Sequence, residues 1–351
     1  MANFDKRYVA HMPLAYAVCA FEDDQGTSFI VGPEKAGAIQ RFSLDGEELE
    51  CVSDGPGGVM TLVQVPGRSD QLLATCEFFS PNFGADIAHI RVYTRTLSGA
   101  WTSSKLCDLP YVHRFGVLRA EDGRIWLLAC TLKGACRHIK EDWSCPGAVW
   151  AAPLTGDLSD PDAAACLELE KIASEQVQNH GFWCAPDASF ALISTAAGVF
   201  RYRPPASADQ PWEITCLIVQ PTSDVCMVDL DGDGKDELVT FSAFHGEHLA
   251  VWHVTEHEDV YECVWRDERA RPFLHAICVA ELEGNPCALV GHRRGERALL
   301  CLTCAQGAYR IEKIDAGAGP ANCLAIGDGR GGARIVAANR ETDEVALYIP
   351  R

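Results

Sequence analysis

Asn322-Cys323-Leu324-Ala325-Ile326, Ile335-Val336-Ala337-Ala338 and Val345-Ala346-Leu347-Tyr348-Ile349 are three apolar runs separated by short polar segments, and Arg351 follows almost at once. Runs this short, bounded by Gly, Asp, Asn and Arg, read as β-strands. Three strands make a sheet with one side unpaired. At the other end of the chain, Lys6–Ala10 reads as a short strand with no sheet of its own. Pairing the two would complete a four-stranded sheet and remove an open edge.

The same pattern recurs through the chain. Runs like Asn322–Ile326 occur at Tyr16–Phe21, Val59–Val65, Val112–Leu118, His180–Cys184, Val225–Leu230 and Leu274–Val279, about every 40 to 55 residues, the spacing of propeller blades. Each is followed by a second apolar run: Phe29–Gly32, Leu72–Cys76, Ile125–Cys130, Ala191–Thr195, Leu238–Phe241 and Ala288–Gly291. A third, more alternating strand follows at Ala38–Phe42, His89–Tyr93, Val149–Ala152, Val199–Tyr202, Leu249–His253 and Leu299–Leu302. The fold class predicted is therefore all-β: a seven-bladed β-propeller spanning 1–351, its N-terminal strand closing the last blade. Two β-sandwiches would not require such even spacing.

Charge and composition narrow the partners. A net charge of −19 opposes binding to nucleic acid or an anionic membrane. Met1–Pro13 carries Asp5, Lys6, Arg7 and His11 with no apolar core, so it reads neither as a signal peptide nor as an anchor. The 17 cysteines are odd in number and mostly sit in apolar runs; they read as reduced thiols, and the expected location is cytoplasmic.

Asp229-Leu-Asp231-Gly-Asp233-Gly-Lys-Asp236-Glu237 lies between the first and second strands of the fifth repeat. Alternate carboxylates on a glycine-kinked loop can converge on a hard cation, so Asp229, Asp231, Asp233 and Glu237 are expected to hold structural Ca2+. An EF-hand would need Glu where Thr240 stands and would be flanked by helices. Glu22–Gly26 and Glu121–Gly123 read as plain turns.

In a propeller, the loop leading into each innermost strand and the loop between its second and third strands open on one face. The former carry His113, Arg114, Asn179, His180, Asp224, His275 and Asn322. The latter carry Glu34, Lys35, Glu77, Asn82, Lys133, Arg137, His138, His245, His292, Arg293, Arg294, Asn339 and Arg340. This basic gathering on an acidic chain is what an anionic ligand would require. His113, His180, His245 and His275 are the candidate acids and bases, and His113, His180 and His275 could share a second divalent metal. Arg114, Lys133, His138, Asn179, His292, Arg293, Asn339 and Arg340 are candidate substrate contacts, with Trp143 as a stacking face for a sugar.

The acidic loop resembles the calcium loops of FG-GAP and VCBS repeats. Val112-His-Arg-Phe-Gly116, Thr131-Leu-Lys133, Asp142-Trp143 with Pro146-Gly147, Asn179-His-Gly181 and Phe244-His-Gly246 are similar to strings in the L-rhamnose-α-1,4-D-glucuronate lyases and, more distantly, in the propeller domain of aldos-2-ulose dehydratase. The resemblance implies a carbon–oxygen lyase acting on an acidic sugar or oligosaccharide. It would use Arg293, Arg340 or Lys133 to hold the carboxylate, His113 or His180 as base, and His275 or His245 as acid. A glycosidase, a sugar dehydratase, or a non-catalytic propeller binding carbohydrate or protein are the alternatives.

Overall fold

Strands dominate because each apolar run is too short for a helix and is closed by a turn residue. The computed structural model describes residues 4–79, 85–135, 141–158, 160, 167–207, 209–327 and 332–351. Among them the strands fall into seven antiparallel four-stranded sheets, a seven-bladed propeller. The innermost strands of blades 1 to 7 are β2 (Ala15–Asp23), β6 (Leu62–Gln64), β10 (Val112–Arg119), β14 (Gly181–Cys184), β18 (Asp224–Val228), β22 (Leu274–Leu282) and β26 (Asn322–Gly327). Each pairs with the next strand in the chain, so every blade is an up-and-down meander.

The seventh blade closes as the sequence predicts. β1 (Phe4–His11) pairs antiparallel with β28 (Glu344–Pro350), from Phe4 opposite Pro350 to His11 opposite Glu344. Lys6 reinforces the joint, its Nζ 2.8 Å from Glu344 and 3.1 Å from Asp315. The core lies between blades. Ala17, Phe21 and Ile30 of blade 1, for example, pack on Val59, Leu62, Leu72 and Tyr93 of blade 2, and burying each large side chain stabilises by about 1.5–3 kcal/mol.

The innermost strand of blade 2 is shorter than the expected Val59–Val65. The Thr75 hydroxyl accepts the N–H groups of Met60 (2.6 Å) and Thr61 (3.0 Å), taking the place of regular ladder bonds. Among the described residues, no helix is long and apolar enough to cross a membrane.

Candidate functional site

Three blades present a side chain to the axis by the same local device. In β2, β10 and β22 the pairing register slips once: between Ala15 and Ala17, between Val112 and Arg114, and between Leu274 and Ala276. The residue at each slip is Tyr16, His113 or His275. A bulge leaves its extra residue out of the ladder and re-aims its side chain. In each case the residue before the strand, Leu14, Tyr111 or Phe273, has a left-handed backbone (φ 53°, 63° and 64°) that turns the chain inward. His180 stands just ahead of β14, and Asp224 begins β18.

The sixth contributor, His245, comes from the loop between β19 (Glu237–Ser242) and β20 (His248–Val254). Its own φ of 49° is left-handed, a conformation that costs a β-carbon-bearing residue of order 1 kcal/mol and is found disproportionately at functional sites. Its N–H donates to the Ser223 hydroxyl at 3.1 Å. Blades 4 and 5 approach so closely here that a Cβ on Gly181 would lie 1.9 Å from Ser194 Oγ and 2.7 Å from the Asp224 Cα. Glycine next to His180 is therefore a packing requirement.

These side chains meet at the axis. The Tyr16 hydroxyl lies 3.2 Å from His275 Nε2 and 3.4 Å from His113 Nε2. His245 Nε2 is 3.2 Å from His180 Nε2, and the rings of His113 and His180 are 4.7 Å apart. His275 Nδ1 donates to the Ala321 carbonyl at 2.7 Å and His180 Nδ1 to the Ser223 carbonyl at 3.3 Å. Phe244 and Phe273 stack on either side of His245, with centroids 4.0 and 4.4 Å away. A cavity of about 160 Å³ is lined by His275, Arg114, Asp224, Asn322, Thr61 and apolar residues of the inner strands.

Burial sets the protonation states. His113, His180 and His275 are almost fully enclosed, and desolvation pushes their pKa values down, that of His180 to about 3. Arg114 and Arg293 add repulsion against a charged His180. All three imidazoles are thus neutral at pH 7, and burial keeps the Tyr16 phenol protonated. Asp224, whose Oδ2 is 3.6 Å from His180 Nδ1, is raised to about 7 by the same desolvation, against the pull of Arg114.

Arginines rim the cluster. The Arg114 guanidinium sits 5.7 Å from the Tyr16 ring centre, and Arg293 and Arg294 lie 4.7 and 4.9 Å from that of Phe273. Arg293 is also paired with Glu341 at 2.8 Å, and Arg340 with both Glu34 and Glu341. Phe273, Arg293, Arg294, Arg340 and Glu341 together line a further cavity of about 190 Å³.

Other predicted contacts are engaged within the fold. Lys133 is buried, its Nζ donating to the Asp142 carbonyl at 2.5 Å and lying 4.2 Å from the Trp143 ring centre. Trp143 packs edge-on against Phe244. Asn179 Nδ2 donates to the Ala148 carbonyl at 3.0 Å, and Asn339 Nδ2 to Glu344 at 3.1 Å. His292 donates from Nδ1 to the Arg294 carbonyl (2.8 Å) and accepts the Ala298 N–H at Nε2 (3.2 Å), clipping its own turn. Asn82, Arg137 and His138 lie outside the described residues.

Sequence reasoning missed Tyr16, Phe244 and Phe273. The signal was there: Leu14-Ala15-Tyr16, Tyr111-Val112-His113 and Phe273-Leu274-His275 each place a bulky residue, an aliphatic one and a ring in succession. Nor does the expected histidine trio hold in its first form. Among the described residues, the three imidazoles with ligand atoms all within 4.8 Å of one another are His180, His245 and His275.

The acidic loop joins β18 to β19, at the end of the blade opposite to His245. Asp229, Asp231, Asp233 and Glu237 each bring a carboxylate oxygen within 4.8 Å of the others. Gly232 and Gly234, with φ 78° and 85°, make the kinks that bring them together. Glu237 is buried, and its pKa is pushed up to about 7 by desolvation and by Asp231, Asp229 and Asp233. A buried carboxyl among three others is a setting that a cation would relieve, so this donor set fits Ca2+. His253, 3.6 Å from both Asp231 and Glu237 and hydrogen-bonded to Tyr309 at 2.5 Å, borders the loop.

No family model matches the chain, and neither does any curated protein. Solved structures do share its fold. The chain is similar to a streptogramin B lyase at 13% identity over 99% of this chain and 98% of that one, with a TM-score of 0.60. The periplasmic gluconolactonase PpgL of Pseudomonas aeruginosa aligns over 91% of both chains at 16% identity and a TM-score of 0.61. A chain of the mitotic checkpoint complex reaches a TM-score of 0.64 at 9% identity, over 99% of this chain and 92% of its own. At these identities the likeness is one of fold, and by name the neighbours include two enzymes and a component of an assembly.

Proposed function

We propose that this chain is a carbon–oxygen lyase that cleaves an acidic sugar or oligosaccharide, such as a rhamnosyl-glucuronate, by β-elimination on the face where the histidines meet. The observation that carries this reading is the Tyr16 hydroxyl placed between His113 Nε2 and His275 Nε2. A phenol that can give a proton and uncharged imidazoles that can take one lie within hydrogen-bond reach of each other, beside a rim of arginines.

β-Elimination needs these parts. A base removes the proton on the carbon next to the carboxylate, and the electron pair is held as an enolate. That pair then forms the carbon–carbon double bond as the carbon–oxygen bond breaks, and the departing oxygen takes a proton. His113, kept neutral by burial, is assigned as base. Tyr16, kept protonated by burial, is assigned as acid. Their mutual hydrogen bond returns the proton from His113 to Tyr16 after each turnover. Arg293, with Arg294 and Arg340, supplies the positive edge for the carboxylate, and Phe273 beneath two of these guanidiniums offers an apolar floor. Two structural neighbours named as a lyase and a lactonase add general support for an enzyme.

We also propose that Asp229, Asp231, Asp233 and Glu237 bind Ca2+ as a structural clamp on the fifth blade. The cytoplasmic location expected from the sequence favours an oligosaccharide over a polymer. The lyase reading is tested by ultraviolet absorbance of the unsaturated uronate formed from rhamnosyl-glucuronate oligosaccharides. A rise is expected from the wild type and its loss in His113→Ala. Reducing ends released without the absorbance would make the chain a hydrolase, and tight sugar binding with no turnover would make it a binding propeller.

A further inference from the structure

We propose that His180, His245 and His275 together bind one divalent transition-metal ion through their Nε2 atoms. Nδ1 of His275 faces the Ala321 carbonyl at 2.7 Å, and Nδ1 of His180 faces the Ser223 carbonyl at 3.3 Å as its nearest partner, with Asp224 Oδ2 beyond it at 3.6 Å. A carbonyl only accepts, so each Nδ1 carries the ring proton, and each Nε2 is left as a bare lone pair.

Those lone pairs point to one place. His245 Nε2 stands 3.2 Å from the bare Nε2 of His180, and a ligand atom from each of His180, His245 and His275 lies within 4.8 Å of the other two. The Tyr16 hydroxyl faces two imidazole nitrogens, Nε2 of His113 and of His275, with one proton to give. Imidazole nitrogens from blades 4, 5 and 6 thus converge on one place, a donor set that suits a shared cation.

The surroundings match what metal-bound imidazoles have elsewhere. Outer partners on Nδ1 fix ring orientation, and here the three rings are held by three elements of the fold: the turn before β14, the bulge in β22 and the left-handed loop after β19. Ser223 serves two of them, its carbonyl accepting from His180 and its hydroxyl from the His245 N–H. Three imidazole nitrogens suit Zn2+, Co2+ or Ni2+ rather than Ca2+, which takes oxygen. A three-histidine set leaves coordination positions open. The role given to the ion, polarising the substrate carboxylate as a Lewis acid, rests on the lyase reading above, and binding itself does not.

The test uses the full chain, freed of metal with chelator and reloaded with Ca2+. Titration with CoCl2 is followed by visible absorption and by equilibrium dialysis with elemental analysis, and ZnCl2 is used in competition. One equivalent of Co2+ should bind, with a ligand-field band that Zn2+ abolishes. His245→Ala, in a partly exposed loop, and His275→Gln remove a direct ligand and should each weaken binding by more than the roughly 10–100-fold that loss of an outer partner costs, while leaving the calcium-dependent rise in Tm intact. Asp231→Asn should do the reverse. Failure to bind Co2+ or Zn2+ stoichiometrically, or equal binding by the histidine variants, would overturn the site and leave a plain imidazole–imidazole hydrogen bond. Lyase activity that survives in metal-free protein would sink the ion's role but not the lyase. Metal binding without turnover of any acidic sugar would sink the lyase but not the site.

Discussion

Single side chains decide what this face can do. Tyr16, His113 and His275 owe their inward aim to one unpaired residue each in their strands. The chemistry assigned to them predicts that Tyr16→Phe, which keeps the ring and its packing, lowers kcat by about 10²–10⁴-fold while Tm changes little. An unchanged kcat in steady-state assays would remove Tyr16 from the proton path. Histidines were legible in the sequence as a set because they are scarce, but their separate duties were not. His292 looks like its neighbours in the sequence, yet both of its ring nitrogens close a turn. Burial lowers its pKa from 6.5. The neutral ring therefore contributes stability above pH 6.5 that is lost as pH falls below it, when protonation evicts the Ala298 N–H. Stability curves by thermal unfolding should show His292→Gln less stable than wild type by about 1 kcal/mol at pH 8, with the gap narrowing toward pH 5. A constant gap would place the pH dependence elsewhere.

Elements were easier to foresee than the residues they aim. Second and third strands, such as Ala191–Thr195 and Leu299–Leu302, could be located from apolar runs and turn residues alone. The shortened innermost strand of blade 2 could not, because the Thr75 hydroxyl competes for backbone donors in a way that composition does not signal. Bulges are similarly silent, since one extra residue changes neither hydrophobicity nor length noticeably. The β18–β19 hairpin was legible because alternating Asp with Gly has few other uses. Its calcium assignment predicts that Ca2+ at about 100 times its Kd stabilises the fold by about 2.7 kcal/mol. Calorimetry should register that as a rise in Tm which chelator reverses and Asp231→Asn abolishes; a Tm indifferent to Ca2+ would make the loop an ordinary turn.

At the scale of the whole molecule, the ring depends on its first strand. Deleting residues 1–11 removes the partner of β28 and the Lys6 ion pairs, so the variant should unfold at lower temperature and associate through the exposed edge, as light scattering would show; a monomeric variant with unchanged Tm would mean the joint contributes little. Closure also explains why the site could be anticipated at all. Once seven blades are arranged around one axis, residues as distant in sequence as Tyr16 and His275 come together, and the contributors are the starts of the innermost strands and a loop on the same face. The central claim is that this meeting place removes a proton and expels a sugar oxygen without adding water. Its most direct test is cleavage of a rhamnosyl-glucuronate oligosaccharide in heavy-oxygen water, with the products weighed by mass spectrometry. β-Elimination predicts products whose masses sum to that of the substrate, with no heavy oxygen incorporated and an unsaturated uronate at the new end. Products heavier by one labelled water would contradict it.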